Sequence, residues 1–340
     1  MTNKNEENIS SGIKLSPGFA SIFPNGLPES LTAVSHNLVV SDISNLPDTQ
    51  LQTKDAFSKK WSLSNYESSD FTKALAFQKK WYLSLYGFES EKELARYLRP
   101  FKFILDAGSG QGGKAAWFAQ LSPSTTIVAT DISDSIIAAS EYYKHYDNMV
   151  FIQCDIADMS FFPNNYFDYV SCDQVIHHTK IPPKTFKELV RVTRINHDIS
   201  CYVYRKKALP RELLDDYFRE FNKQLTHDDI VELSKQLTEL GRILSKIKKV
   251  IEFPSIPLLG IEGGKMTVQR FLYWNFIKCY WNKELGKDTS ILTNYDWYSP
   301  SQAFRYSEQD FRSWIEQENL DEVHFHSEQA CYSGRFKKRG

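Results

Sequence analysis

The middle of the chain alternates short apolar runs with amphipathic stretches. The apolar runs are typical of buried parallel strands, and the amphipathic stretches have the spacing of helices that cover a sheet. Regular alternation of this kind predicts an α/β fold, a mostly parallel sheet with helices on both faces. The predicted strands span 102–107, 126–130, 149–153, 166–172 and 199–204, and the predicted helices between them span 112–121, 133–146 and 182–193.

The pattern changes on both sides of this core, which gives four regions. Residues 1–65 are rich in Ser, Asn and Pro and are predicted to be an N-terminal extension that is partly irregular. Residues 66–205 form the predicted core and open with two amphipathic helices at 71–85 and 89–98. Residues 206–300 are predicted to be a helical insertion that covers an acceptor, and its most aromatic helix spans 266–281. Residues 301–340 supply a last helix at 308–320 and a hairpin of strands at 322–327 and 330–337, which completes the sheet.

Composition narrows the function classes. The 340 residues are 41% hydrophobic, enough for a large core, and 41 Lys and Arg against 42 Asp and Glu give a net charge of −1. A chain without excess positive charge has no overall field to collect nucleic acid or an anionic membrane, so neither is expected as a partner. The five cysteines are scattered without a C-x-x-C pair, the N-terminus lacks a signal-peptide pattern, and no apolar run approaches the roughly 18 residues of a membrane span. These features predict a cytoplasmic protein, monomeric or homodimeric.

A glycine-rich turn follows the first core strand. Gly108, Gly110 and Gly113 satisfy G-x-G-x-x-G, which is typical of loops that bind a nicotinamide or flavin dinucleotide. Asp106 lies two residues before the first glycine, and a carboxylate there would repel a pyrophosphate. It would suit a ligand that has no phosphate and carries an ammonium and a sulfonium. The loop therefore favours S-adenosylmethionine, with a dinucleotide as the alternative.

Two further acids end the next two strands. Asp131 lies 131 − 108 = 23 residues after Gly108, where a carboxylate reaches ribose hydroxyls. Asp155 and Ile156 follow the third strand and are placed to contact the adenine amino group and ring. The carboxyl ends of parallel strands share one edge of the sheet, so these acids are expected to lie together. As single residues they could equally be helix caps and turn formers.

The motifs L-D-A-G-S-G-Q-G, A-T-D-I-S, Q-C-D-I and F-D-Y-V-S-C-D-Q-V-I-H-H, in this order, resemble those of class I S-adenosylmethionine-dependent methyltransferases. They are most similar to the ubiquinone/menaquinone-biosynthesis type, methyltransferase type 11, over roughly residues 100–205. The resemblance implies a Rossmann-like sheet of seven strands whose last strand is antiparallel, and S-adenosylmethionine as the cofactor. The predicted cofactor contacts are Asp106, Gly108, Ser109, Gly110, Gly112, Asp131, Ile132, Asp155, Ile156, Asp173 and Gln174.

Two histidines follow the fourth strand, where this architecture places the acceptor. Methyl transfer needs mainly positioning, with a general base only if the acceptor loses a proton, and histidine titrates in a useful range. His177 and His178 are the candidate catalytic residues, with His177 preferred, although either could be an ordinary packing histidine. His324 and His326 lie on one face of a late strand without a supporting acid or thiol, so no metal site is expected.

Charged and aromatic residues beyond the fifth strand are the candidates for acceptor binding. The basic cluster of Arg205, Lys206, Lys207 and Arg211 could bind a carboxylate or phosphate, with Arg205 and Lys206 as the first candidates, or could simply be surface charges. Trp274 belongs to the aromatic helix. The loop at 294–300 offers hydrogen-bonding groups and flat apolar surface that suit a sugar or cyclic metabolite, or it anchors the insertion. Its candidate residues are Asp296, Trp297 and Tyr298.

The expected function is transfer of a methyl group from S-adenosylmethionine to a small molecule, such as a metabolite, a sugar or a natural product, with or without an anionic group. A catalytically silent scaffold that binds the cofactor is one alternative. A nucleic-acid methyltransferase is another, but the chain lacks the N/D-P-P-Y/F motif that marks enzymes acting on exocyclic amines.

Overall fold

The structure is a computed structural model, and it describes residues 13–222 and 224–340. The strands within these ranges are β1 Leu31–Ser35, β2 Leu38–Ser41, β3 Phe103–Ala107, β4 Thr126–Asp131, β5 Met149–Gln153, β6 Phe167–Cys172, β7 Thr193–Arg205, β8 Val250–Phe253, β9 Gly264–Thr267, β10 Arg305–Tyr306, β11 Leu320–Ser327 and β12 Cys331–Lys338. The helices are α1 Pro17–Ile22, α2 Asp48–Ser62, α3 Ser69–Tyr86, α4 Glu91–Leu98, α5 Gly113–Leu121, α6 Ser135–Tyr142, α7 Pro182–Val192, α8 Leu209–Asn222, α9 His227–Leu244, α10 Val268–Asn275, α11 Gly286–Tyr298 and α12 Glu308–Gln317.

A mostly parallel sheet forms the centre of the fold, as the alternating pattern predicted. Its strand order is β1-β2-β5-β4-β3-β6-β7-β12-β11, and the short β10 pairs with β7 on the side of the path. β12 runs antiparallel to both of its neighbours, which confirms the predicted C-terminal hairpin. The seven expected strands are present from β5 to β11, but β1, β2 and β10 extend the sheet, so the prediction of seven was too low.

The sheet is buried on both faces because its central strands carry apolar side chains on both sides. All five residues of β3 are buried. Leu105 belongs to a cluster with Val128 and Val170 on one face, and Ile104 belongs to a second cluster with Ile127 on the other. This arrangement requires helices on both sides, and it places the ends of β3 to β7 at one common edge.

The N-terminal region is more regular than its composition predicted. Between residues 13 and 65 the chain forms α1, the β1–β2 hairpin and α2, whereas residues 1–12 lie outside the described part. Val39 of β2 is buried and pairs with Ile152 of β5, so this hairpin widens the main sheet. The strands are only five and four residues long and lie between turn formers, and the stretches 23–30 and 42–47 belong to no helix or strand.

The insertion also differs from its predicted elements. The single aromatic helix expected at 266–281 is instead β9 followed by α10, which ends at Asn275, and the following segment has no regular structure. The predicted loop at 294–300 lies largely within α11. Asn294 of this helix accepts a hydrogen bond from the Tyr280 N–H and donates one to its carbonyl, at 2.8 and 3.1 Å. The polar side chains that resembled loop formers therefore hold the neighbouring segment in place.

None of the helices in the two described ranges combines the length and apolar character required to cross a bilayer.

Candidate active site

A cavity of about 1330 Å³ lies at the carboxyl edge of the sheet. Residues that follow β3, β4, β5, β6 and β7 form its floor, and residues from α2, α3, α10 and α11 cover it. Ligands of open parallel sheets bind at this edge, so the fold places the cavity where the motifs predicted a site.

The glycine loop enters the cavity at one end. Gly108 and Gly110 have φ angles of 76° and 54°, which favour glycine, and both line the cavity with Ser109. The N–H groups of Gly108 and Ser109 donate to the Thr130 carbonyl at 2.8 and 2.7 Å, which ties the loop to β4. The buried Ser109 Oγ has no hydrogen-bond partner among the described residues and is free to bond to a ligand.

Asp131 lies beside the loop at the end of β4. Its Oδ2 accepts a hydrogen bond from the Gly110 N–H at 2.8 Å, and its Oδ1 accepts from the N–H and Oγ of Ser133 at 2.8 and 2.5 Å. Burial raises the pKa of this carboxyl, and these donors oppose the shift. Asp131 and the adjacent Ile132 line the cavity, so the carboxylate is fixed in orientation while facing the ligand space.

The next two strand ends also reach the cavity as predicted. Asp155 accepts a hydrogen bond from the Ala157 N–H at 2.9 Å, burial raises its pKa, and it lines the cavity with Ile156. After β6, Asp173 accepts a hydrogen bond from the Tyr86 hydroxyl at 2.8 Å and also lines the cavity. The adjacent Gln174 does so too, with a left-handed φ of 64°.

Two predicted cofactor residues do not line the cavity. Asp106 is fully buried, and its Oδ1 lies 3.3 Å from the Lys114 ammonium, which comes between this acid and the ligand space. Burial raises the pKa of Asp106, and Lys114 opposes the shift. Gly112 caps the start of α5, and a side chain there would face Ala139 and Tyr143. The prediction that Asp106 and Gly112 contact the ligand directly is therefore corrected, because Lys114 of α5 pairs with Asp106, and Gly112 faces Ala139 and Tyr143.

Lys114 is the charged group that the sequence analysis missed at this end. It lines the cavity, and its ammonium also lies 3.3 Å from Asp173 Oδ2. Burial alone would lower the pKa of Lys114, but Asp106 and Asp173 raise it, so the ammonium remains charged.

The two candidate histidines form a short 3-10 helix and have different environments. His178 lines the cavity, and its Nδ1 lies 2.7 Å from the Gln302 carbonyl. A carbonyl only accepts, so Nδ1 donates, and Nε2 remains an acceptor without a partner in the described chain. Burial lowers the pKa of His178 to about 4, which keeps the ring neutral at pH 7. His177 is instead buried against Tyr204, with ring centroids 3.6 Å apart, and does not line the cavity, so the preference for His177 is reversed.

The predicted acceptor residues divide into two groups. Trp274, Asp296 and Trp297 line the cavity. Arg205 pairs with Glu262 at 2.6 Å and Lys206 with Asp310 at 3.6 Å, and neither lines the cavity, because the chain turns outward after the inward-facing Tyr204.

The prediction that Tyr298 contacts the acceptor is also corrected. Tyr298 is buried away from the cavity wall, and its hydroxyl accepts a hydrogen bond from the Lys278 N–H at 3.1 Å.

Lys207 and Arg211, from the same basic stretch as Arg205 and Lys206, line the cavity instead, together with Lys278, which the sequence did not single out. The sequence could have identified Lys207 as a contact, because this residue continues the basic run at the end of β7. Lys278 had no such signal, because it lies in the segment without regular structure that follows α10.

Helix α2 closes the cavity from the N-terminal side, a role that the sequence did not reveal. The ammonium of Lys60 lies 2.7 Å from Asp296 Oδ1 in α11, and the Tyr204 hydroxyl donates to Asp296 Oδ2 at 3.2 Å. Burial would raise the pKa of Asp296, but Lys60 and the neighbouring cations hold it well below its usual range. The adjacent Trp61 lies over the glycine loop, since a Cβ on Gly110 would be 3.1 Å from its indole.

Comparison with known proteins identifies the domain at this site. Residues 105–197 match the family model described as a methyltransferase domain. The matched segment begins in β3 and ends in β7, so it includes the glycine loop and the acids at the strand ends. The match confirms the class I methyltransferase resemblance over this part of the chain.

The relatives of known sequence or structure are distant. An uncharacterized protein of Synechococcus sp. is 30% identical over 105 residues, which is 30% of this chain, and the chain covers only 25% of the length of that protein. A protein from Pyrococcus horikoshii OT3 is 15% identical, with 82% of this chain and 95% of the other covered and a TM-score of 0.43. A SAM dependent methyltransferase from Aquifex aeolicus is 11% identical, with 75% and 90% covered and a TM-score of 0.38. The CurJ carbon methyltransferase is 11% identical, with 70% and 49% covered and a TM-score of 0.38.

Proposed function

We propose that the protein transfers a methyl group from S-adenosylmethionine to a small-molecule acceptor. The observation that carries the proposal is the continuity of one cavity from the glycine loop and Asp131 to the aromatic wall of the insertion. Its volume of about 1330 Å³ exceeds the roughly 300–1,000 Å³ of a typical small-molecule site, which leaves room for a cofactor and an acceptor together.

The residues at the loop end fit this cofactor. Asp131 offers carboxylate lone pairs to ribose hydroxyls, and Ser109 offers a buried hydroxyl without a partner in the described chain. Lys114 presents an ammonium that suits the carboxylate of the methionine portion. When bound, S-adenosylmethionine supplies the methyl group of its sulfonium.

The protein groups around the acceptor side act by orientation. His178 Nε2 accepts a hydrogen bond from an acceptor O–H or N–H, and its pKa of about 4 makes it a weak base at neutral pH. Tyr204 and the Lys60–Asp296 pair form a rigid wall beside it. Trp61 and the other covering side chains exclude water, so the acceptor is held in a fixed pose for an in-line displacement.

The five cysteines are all buried and unpaired, which favours a reducing compartment, and the proposal places the enzyme in the cytoplasm.

Release of S-adenosylhomocysteine from metabolite extracts tests the proposal. The wild-type protein is incubated with S-adenosylmethionine and fractionated extracts, in parallel with the Asp131→Ala and Asp134→Ala variants. Asp134 is a matched control, because it lies three residues further on, pairs with Lys54 at 2.9 Å and does not line the cavity.

We expect at least tenfold less release from Asp131→Ala and nearly unchanged release from Asp134→Ala, since hydrogen bonds to a charged group contribute about 1.5–3 kcal/mol each. Cofactor binding without release from any fraction would favour the silent scaffold. Absence of both binding and release would refute the proposal.

A further inference from the structure

Lys278 is a buried cation without a counter-ion in the described chain. Only 6% of the residue is exposed, and it lines the cavity. Its backbone is fixed by the Tyr298 hydroxyl, which accepts from the Lys278 N–H at 3.1 Å and donates to the Lys278 carbonyl at 3.3 Å. The ammonium lies 4.4 Å from the centroid of the Trp297 ring, and no carboxylate of the described residues lies within 4.0 Å of it.

The acids nearest to Lys278 are already engaged. Asp296 pairs with Lys60 at 2.7 Å, and Asp215 pairs with Arg211 at 2.8 Å. Buried charges are normally paired, because transferring an isolated ammonium from water is costly. Lys278 therefore leaves one positive charge unbalanced at the cavity wall.

A second cation without a carboxylate partner lies close by. The Lys207 ammonium donates to the carbonyls of Arg205, Gln329 and Ala330 at 2.8, 2.6 and 3.1 Å, so it contributes charge while its three donors are occupied. It also lies 5.2 Å from the centroid of the Trp274 ring.

Arg211 completes the group on the same wall. It is 1% exposed, with Nε on Asp215 and one terminal nitrogen on the Tyr273 carbonyl. Its guanidinium carbon lies 4.9 Å from the centroid of the Trp297 ring. Of these three cations only Arg211 has a carboxylate of the described residues within 4.0 Å, that of Asp215, and the three border one space together with Trp274 and Trp297.

We propose that Lys207, Arg211 and Lys278 bind an anionic group of the acceptor, a carboxylate or a phosphate, beside an apolar or cyclic portion that packs on Trp274 and Trp297. Lys278 supplies the free N–H donors, and the other two cations supply the surrounding positive potential. The inference rests on the proposed function only where it calls the bound anion the methyl acceptor, and the presence of an anion site is tested independently.

Proton uptake by Lys207 and Lys278 on anion binding provides an additional measurement. Burial lowers the pKa of both Lys207 and Lys278 to about 7. Lys278 is faced by Asp296 from α11, by Arg211 and Asp215 from α8 and by Lys60 from α2.

Lys207 is faced by Arg211, Lys278 and Glu212, and by Cys331 from β12. With a pKa of about 7, each of these lysines is mostly unprotonated at pH 8. A bound anion raises the pKa, so anion binding should be accompanied by proton uptake.

The experiment titrates benzoate, phenyl phosphate and uncharged benzyl alcohol into the protein at pH 8, with and without saturating S-adenosylhomocysteine. Each calorimetric titration is repeated in two buffers of different ionisation enthalpy, which measures the protons taken up. The variants are Lys278→Met and, as a matched control, Lys206→Met, because Lys206 is exposed beside Asp310 and lies outside the cavity.

We expect at least one anion to bind at least tenfold more tightly than benzyl alcohol, with proton uptake, and the preferred anion distinguishes a carboxylate from a phosphate. Lys278→Met should lose at least tenfold in anion affinity and take up fewer protons on binding, whereas Lys206→Met should match the wild type. Lys278→Met should also unfold at the same or a higher temperature, since it removes an unpaired buried charge, whereas a purely structural lysine would give a less stable variant.

Equal binding of all three probes, or wild-type anion binding by Lys278→Met, would overturn the anion site. That result in a protein that still binds S-adenosylhomocysteine leaves the proposed function standing. Failure of S-adenosylhomocysteine to bind would contradict the proposed function, and the same comparison of probes on the free protein would still decide the anion site.

Discussion

Replacing Lys114 by Met tests how the buried acid in front of the glycine loop is neutralised. The Lys114 ammonium lies 3.3 Å from Asp106 and 3.3 Å from Asp173, whose side chains are 0% and 6% exposed. Methionine keeps most of the side-chain volume and removes the charge. The variant leaves two buried carboxylates facing each other without their shared cation.

The expected loss follows from this burial. Removing one partner of a buried ion pair typically costs about 3–5 kcal/mol, because the other charge is left uncompensated. Lys114 keeps 18% of its side chain exposed, so water screens part of the interaction and the lower end, about 3 kcal/mol, is expected at pH 8. Burial raises the pKa of Asp106 even with Lys114 present, and without Lys114 it rises further. A carboxyl group whose pKa is raised in the folded state stabilises the fold at low pH, and this contribution is lost as the pH rises through that pKa. The loss of stability in Lys114→Met should therefore be smaller at pH 5 than at pH 8.

Urea unfolding of the wild type, Lys114→Met and the double variant Lys114→Met/Asp106→Asn at pH 5 and pH 8 measures these differences. The double variant should regain part of the lost stability, because it removes the orphaned charge. Lys144→Met is the control, since its ion pair with Glu141 is largely exposed and should contribute little. Wild-type stability of Lys114→Met at pH 8, or a deficit that is the same at both pH values, would refute the reasoning.

Two further predictions concern the loop and its cover. Gly108→Ala should destabilise the fold by about 2 kcal/mol, because the φ of Gly108 is 76° and the new Cβ would lie 2.3 Å from Val175 Cγ1. Chemical denaturation measures this loss. If adding Val175→Ala restored no stability, the clash would not be its cause. Lys60→Met should loosen α2 by about 2 kcal/mol through loss of the pair with Asp296, whose side chain is 18% exposed. Faster amide hydrogen exchange across α2 is the expected result, and unchanged exchange would contradict the conclusion that the Lys60–Asp296 pair holds α2 against α11.

The sheet and the end of the cavity at the glycine loop were predictable from the sequence because they follow local rules. Asp131, Asp155 and Asp173 each end a continuous apolar strand, and parallel strands bring their carboxyl ends to one edge. Asp106 obeyed the same rule but is covered by Lys114 from the next helix. That contact depends on which way the first turn of α5 faces, which the motif does not encode.

The opposite end of the cavity, which includes Lys60, Lys207 and Lys278, was less predictable because tertiary contacts determine which side chains line it. Lys278 occupies a segment without periodicity and reaches the cavity only because Asn294 and Tyr298 of α11 hold that segment. Lys60 acts through a partner 236 residues further along the chain. The predicted rim residue Arg205 had the right chemistry but lies outside the cavity at the last position of β7, and Lys207 lines the cavity only because the chain changes direction after the strand ends.

The most direct test of the account is calorimetric titration of S-adenosylhomocysteine into the purified protein and its Asp131→Ala variant. The account predicts one site per chain in the wild type and at least tenfold weaker binding in the variant, with the folded structure of both verified by their unfolding temperatures. Absence of binding to the folded wild type, or equal affinity in the two proteins, would contradict the assignment of this cavity to S-adenosylmethionine.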